Sequence, residues 1–105
     1  MELKYITPND ICIALATQFQ CPWVDLSYVK IQKEIATILP EDVVRKFEII
    51  PVEKKGDVLI VATSQPQDQE IRLQLDKIIS HKVELVVAYE GHIDSAINYF
   101  FPSRG

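Results

Sequence analysis

Glycine is scarce in this sequence: only Gly56, Gly91 and Gly105 are present. Three scattered glycines cannot build the phosphate-cradling loop of a Walker motif or a G-x-G-x-x-G dinucleotide turn, so nucleotide hydrolysis by that route is excluded for this chain. A cysteine framework is missing too. Cys12 and Cys21 are the only cysteines, and neither belongs to a C-x-x-C unit. They read as buried reduced thiols or as a disulfide pair, and a cytosolic setting favours the first. Together with the distant His81 and His92 they do not supply a credible zinc ligand set, and no metal or cofactor is expected. Excess basic charge is absent, with Lys and Arg totalling 11 against 15 Asp and Glu for a net charge of −4. The basic residues are scattered instead of forming a stripe, which argues against nucleic acid as a partner. No apolar run approaches the ~20 residues that span a bilayer. Met1 to Tyr5 lacks the basic and apolar regions of a signal peptide, so the expectation is a cytoplasmic protein without direct membrane insertion.

What is present fits one globular core. A hydrophobic fraction of 48% and a charged fraction of 25% are ordinary for a folded domain. A chain of 105 residues buries roughly two thirds of the surface its unfolded form exposes. Residues 1–101 are expected to form a single domain, with 102–105 a terminus or the start of a linker.

Thr7-Pro8-Asn9-Asp10 has the form of a helix start, with Thr7 as cap and Asp10 returning the bond. The helix should run to about Gln20, with Ile11, Ala14, Leu15 and Phe19 on its core face and Ile13 off that stripe. Cys21-Pro22 breaks it, and Trp23 to Leu26 reads as an edge strand or a strapped-down loop. Ile31, Ile35, Ile38 and Leu39 space as a helix over 31–39, and Pro40 to Lys46 forms another, with acids first and bases last.

Phe47 to Asp68 organises the rest. Phe47 to Val52 and Asp57 to Thr63 are β-favouring runs around a charged turn with Gly56, an antiparallel pair joined by slightly more than two residues. Val58 to Ala62 is apolar at successive positions, which implies a central strand. After Pro66 a helix carries Ile71, Leu75, Ile78 and Ile79, and Val83 to Tyr89 follows as a strand. A right-handed crossover sets that strand parallel to Val58–Ala62. The last helix, about Glu90 to Phe101, turns Ile93, Ala96, Ile97 and Phe100 inward. The fold class is therefore α+β: a small mixed three-stranded sheet, an antiparallel hairpin plus one parallel strand, packed with helices.

Chemistry-bearing residues are not gathered. His81 and His92 stand in different contexts without an identifiable nucleophile or orienting partner. Glu2, Glu41-Asp42, Asp68 and Glu70 sit at helix starts or termini, where capping and the helix dipole account for them. Ser64, Ser95 and Ser103 lie in no nucleophile elbow. An enzyme is not expected. Apolar and aromatic residues outside the core pattern are the better candidates: Ile13, Trp23, Tyr99 and Phe101 are the candidate partner-binding residues, since such side chains exposed together mark a contact surface, and the alternative for each is that it covers an end of the core.

Ile11 with Ala14-Leu15-Ala16 and Gln18, Pro22 with Val24-Asp25-Leu26, Leu39-Pro40-Glu41 with Arg45-Lys46, Ile50-Pro51-Val52, Leu59-Ile60-Val61-Ala62, Pro66 with Asp68, and Val83 with Val86 and Ala88 occur in an order and spacing that covers nearly the whole chain. In this the sequence resembles the amino-terminal domain of the type II secretion and type IV pilus assembly ATPases, the E-component family. The resemblance implies a domain that does no chemistry itself, precedes a motor domain in cis, and docks it to the cytoplasmic part of an inner-membrane platform protein. Such a domain would be cytoplasmic and peripheral to the inner membrane through its partner. The alternative that the family implies is a cyclic di-GMP receptor, built on an Arg-Leu-Gly opening followed by a Gly, an Ile and an Ala-Leu helix. Here the rear of that pattern is present, as Ile6, Ile11, Ala14, Leu15 and Gln18; the opening is absent and Lys4 stands where the later Gly is expected. Gln65, where Asp usually precedes the Pro, and His81, where Gly is common, are smaller departures.

Overall fold

The structure, a computed structural model, describes residues 8–79 and 82–102. The Thr7 cap, Lys4 and Ile6 of the partial motif, His81, and residues 103–105 lie outside the described residues. Helix α1 spans Pro8–Phe19 and is followed by a 3-10 turn at Leu26–Tyr28, α2 at Lys33–Ala36 and α3 at Glu41–Phe47. Strands β1 (Ile49–Lys55) and β2 (Val58–Thr63) come next, then α4 (Gln69–Ile78), β3 (Lys82–Val87) and α5 (Glu90–Phe100).

The sheet has the order β1-β2-β3, with β1 and β2 antiparallel and β2 and β3 parallel. This is the mixed α+β sheet expected from the sequence, with the apolar strand in the centre. The hairpin is tighter than expected. Lys55 pairs with Val58, so only Gly56 and Asp57 make the turn. Gly56 has φ +58, the value a two-residue hairpin needs at its first turn position. Charged Glu53, Lys54 and Lys55 belong to β1 rather than to a loop. The ladder shifts register between Pro51 and Glu53; Pro51 has no N–H to give, and β1 is an edge strand, where a proline beside a bulge is tolerated.

Several boundaries differ from the sequence expectation. Phe47 ends α3 instead of starting β1, because Glu48 takes the left-handed conformation, φ 54, at the helix C-cap. The helix expected over 31–39 is a single turn: Thr37 caps it, its hydroxyl donating to the Lys33 carbonyl at 2.8 Å, and Pro40 disfavours helical backbone at the residue before it. Ile79 is an extended cap outside α4. The core face assigned to α1 is also corrected. Ile11 is 40% exposed and Ala14 is exposed, whereas Cys12 and Ala16 are buried against Val87. Small side chains one turn apart let α1 lie close on β3, which a stripe of larger residues does not.

The main core joins Leu39, Val44, Ile49, Ile50, Leu59, Val61, Ile71, Leu75, Ile93 and Ile97, each at most 1% exposed. α1 and α4 pack against β3, while α5 packs against β1, β2 and the 3-10 turn. Trp23 makes a single parallel bridge to Val87: Val24 N–H donates to the Val87 carbonyl at 2.8 Å and Val87 N–H to the Pro22 carbonyl at 2.8 Å. The segment is thus an edge strand of one rung.

Candidate functional site

A groove follows the outer side of α5, opposite the segment from Leu26 to Glu34. Ile31, Lys30, Tyr99 and Phe100 line it, with Lys33 and Pro102 at one end, where it opens to about 500 Å³. At the other end Leu26, Ser27, His92, Ser95 and Ala96 line a shallower part of about 280 Å³. The helical spacing that buries Ile93 and Ile97 is what turns Ser95 and Tyr99 outward. Tyr99 is 77% exposed and meets Phe100 edge-on, with ring centroids 4.9 Å apart. Edge-to-face contact of this kind holds an exposed ring at little entropic cost.

Arg45 fixes this end of the molecule. Its Nε donates to Glu41 at 2.8 Å, its Nη1 to the Asn98 side-chain oxygen at 3.2 Å and its Nη2 to the Phe101 carbonyl. One guanidinium therefore ties α3 to the C-terminal end of α5, a use of its planar fork that a lysine does not reproduce.

The nearest approach to a catalytic grouping is at the other end. Asp25 caps the 3-10 turn, accepting from Ser27 N–H at 3.0 Å and from the Ser27 hydroxyl at 2.5 Å. His92 Nδ1 lies 3.8 Å from the Asp25 carboxylate, is buried, and makes no hydrogen bond. Tyr89 packs edge-on against the imidazole at 5.1 Å. A relay would need the serine hydroxyl to donate to the imidazole, with the carboxylate behind it. Here the hydroxyl donates to the carboxylate, which activates no nucleophile. Among the described residues no group of three or more His, Cys, Asp or Glu is placed to hold a metal. No helix among them is long and apolar enough to cross a membrane. Cys12 and Cys21 are both free thiols, Cys12 buried and Cys21 half-buried. Burial, and then the Asp25 carboxylate, push the Cys12 thiol above its ordinary range.

The four residues singled out from the sequence do not form one patch. Ile13, 44% exposed, is on α1 and Trp23, 39% exposed, bridges β3. Tyr99 stands on α5, on the side of β1 and β2, and Phe101 caps that helix half-buried. Sequence reasoning missed Tyr28, which is 88% exposed, and the groove residues Lys30 and Ile31. A tyrosine inside the apolar pattern Leu26-Ser27-Tyr28-Val29 gives no periodic signal of its own, because a 3-10 turn is too short to show one.

Comparison with known proteins bears on this geometry. The family model for the MshEN domain matches residues 19–105. The type IV pilus assembly ATPase PilB of Myxococcus xanthus is 29% identical over 91 residues, which are 87% of this chain and 16% of that protein. PilB of Thermus thermophilus is 28% identical over 101 residues, 91% of this chain and 11% of its own length. The chain therefore spans less than a fifth of either relative. Among solved structures, that of MshE with cyclic di-GMP superposes with a TM-score of 0.81 at 24% identity, covering 90% of this chain and 69% of that one. The N-terminal domain of XpsE superposes with a TM-score of 0.73 at 18% identity, covering 89% of this chain and 66% of that one. These likenesses are in fold.

Proposed function

Because the chain belongs to the MshEN domain family, we propose that it is a non-catalytic interaction module that docks a secretion or pilus assembly ATPase to an inner-membrane platform protein. The observation that carries this reading is the exposure of Ile13, Trp23 and Tyr99 at 44%, 39% and 77%. Aromatic side chains held outside a core are the usual anchors of protein contacts. Similarity to two PilB ATPases supports a motor as the attached partner. On this reading the domain sits in the cytoplasm and reaches the membrane through its partner.

The test is recovery of partners from the lysate of its own cells, identified by mass spectrometry, with the wild type beside a triple variant Ile13→Asp, Trp23→Ala, Tyr99→Ala. An inner-membrane platform component that comes down with the wild type and not with the variant is the expected result. Undiminished capture by the variant sinks the reading.

The second reading, a cyclic di-GMP receptor, is favoured by the solved likeness of MshE with that ligand. Calorimetry separates the two. With Lys4 where the motif expects Gly, no heat of binding is expected, and a saturable heat would move the assignment to the receptor.

A further inference from the structure

Among the described residues, the outer edge of β3 is unfilled at Leu85 and at the Val83 N–H. In a parallel pair the backbone groups of alternate residues point to the same side of a strand. Val87 points outward, as its bonds to Pro22 and Val24 record, and Ala88 points inward, its N–H donating to the Thr63 carbonyl at 2.9 Å. Leu85 and Val83 therefore also point outward. The Val83 carbonyl is taken by Arg72 of α4, whose Nη1 donates at 2.9 Å. Leu85 is left: neither its N–H nor its carbonyl has a hydrogen bond among the described residues, although the residue is only 9% exposed.

The segment that leads into Trp23 cannot fill the rung at Leu85. Continuing the parallel ladder from Val87 by one step would require the Leu85 carbonyl to accept from the N–H of residue 22, which is Pro22 and has none. It would also require the Leu85 N–H to reach the carbonyl of Gln20, and Gln20 adopts the left-handed conformation, φ 55, that turns the chain back into α1. Backbone groups left unpaired away from water cost free energy, so a segment that satisfies them gains a driving force.

Space is provided at the same position. A groove of about 420 Å³ runs between Cys21 and α4, with Leu85 at its base and Gln69, Leu73 and Asp76 along its wall. Leu73 is 57% exposed there. Two carboxylates, Asp68 and Asp76, border the groove, and its single guanidinium, Arg72, is turned onto the Val83 carbonyl. The groove thus offers an apolar wall, a backbone donor and acceptor, and negative charge. These are the requirements for an extended segment that adds to a sheet edge.

We propose that the β3 edge at Leu85 receives an extended, basic peptide segment of a partner protein, which completes the missing rung with its own backbone. The inference does not depend on the docking reading, because its test uses a synthetic peptide and needs no platform protein. The experiment is a titration of the 15N-labelled chain with acetyl-Lys-Val-Lys-Val-Lys-amide, followed through the Leu85 amide. The expected result is a saturable shift of that amide and about tenfold slower exchange of its proton. The same peptide methylated at every backbone nitrogen keeps charge and side chains but has no backbone donor, and should leave Leu85 unmoved. Asp76→Lys, an exposed helical position, should weaken binding about tenfold. An unmoved Leu85 amide, or equal effects from the methylated peptide or on the Asp76→Lys chain, would overturn the proposal.

Discussion

Cys12 and Cys21 share one neighbourhood, around Val87, and differ in what surrounds the sulfur. Cys12 is 1% exposed on α1, and burial with the Asp25 carboxylate disfavours its thiolate. Cys21 follows the helix, is half-buried, and lines the groove below α4. Since the thiolate is the reactive form, iodoacetamide at neutral pH should label Cys21 first, with Cys12 modified only as the fold opens; mass spectrometry of a short time course reads the order. The same shift has a consequence for stability. The folded thiol ionises at a higher pH than the unfolded one, whose ordinary value is 9.0, so its contribution is fully present below about pH 9 and is lost as pH rises through the raised folded value. The alkaline decline in a urea midpoint should be shallower in Cys12→Ala, although that variant starts less stable because it leaves a small cavity.

At the scale of elements, the sequence carried the sheet and the long helices through their periodicity. β2 is apolar at successive positions although its faces are covered unequally, with Leu59, Val61 and Thr63 buried on one and Val58 and Ile60 half-buried on the other, and α4 and α5 bury Ile71, Leu75, Ile93 and Ile97 at helical spacing. α1 was misread because its buried side chains are small. Ile11 and Phe19 draw the eye as a core stripe, yet the close contact on β3 needs Cys12 and Ala16. The candidate site was legible only in pieces. Tyr99 and Trp23 stand out in the sequence, but the groove along α5 depends on the return of Lys30 and Ile31 against that helix, and the open rung at Leu85 depends on a parallel neighbour sixty-odd residues away in the chain. Neither is a local property. The Arg45 tie between α3 and α5 belongs to the same class, since its partners Asn98 and Phe101 are distant in sequence. Arg45→Ala should cost about 1–2 kcal/mol, most of it from the lost contacts to α5, because the half-exposed ion pair with Glu41 is worth only ~0.3–0.5 kcal/mol. Arg45→Lys keeps the charge without the fork and should recover less than half of the loss; urea denaturation of the three chains measures both.

On the scale of the whole molecule, the exposed side chains divide between the β3 end of the sheet and the strands β1 and β2. Ile13 and Trp23 lie with α1 beside β3, whereas Tyr99 stands on α5 above β1 and β2, with Tyr28 exposed on the 3-10 turn that packs against α5. A partner approaching a three-stranded sheet as a rigid body covers one of these sides more readily than both, since a standard interface takes about 800 Å² from each partner and the whole chain exposes 6919 Å². The two sides can be separated because each candidate side chain contributes little to the core. Tyr28→Ala with Tyr99→Ala should leave the stability within about 0.5 kcal/mol of wild type, whereas Ile13→Ala with Trp23→Ala removes the apolar cover that Trp23, 39% exposed, gives β3 and should cost more. If docking uses the α5 groove, the tyrosine pair should lose capture of the platform component while the other pair retains it. The groove's lysines, Lys30 and Lys33, would then make that capture fall as salt rises. Retention by the tyrosine pair and loss by the Ile13 and Trp23 pair would put the platform on the β3 side, where it would cover the same strand edge that Leu85 leaves open.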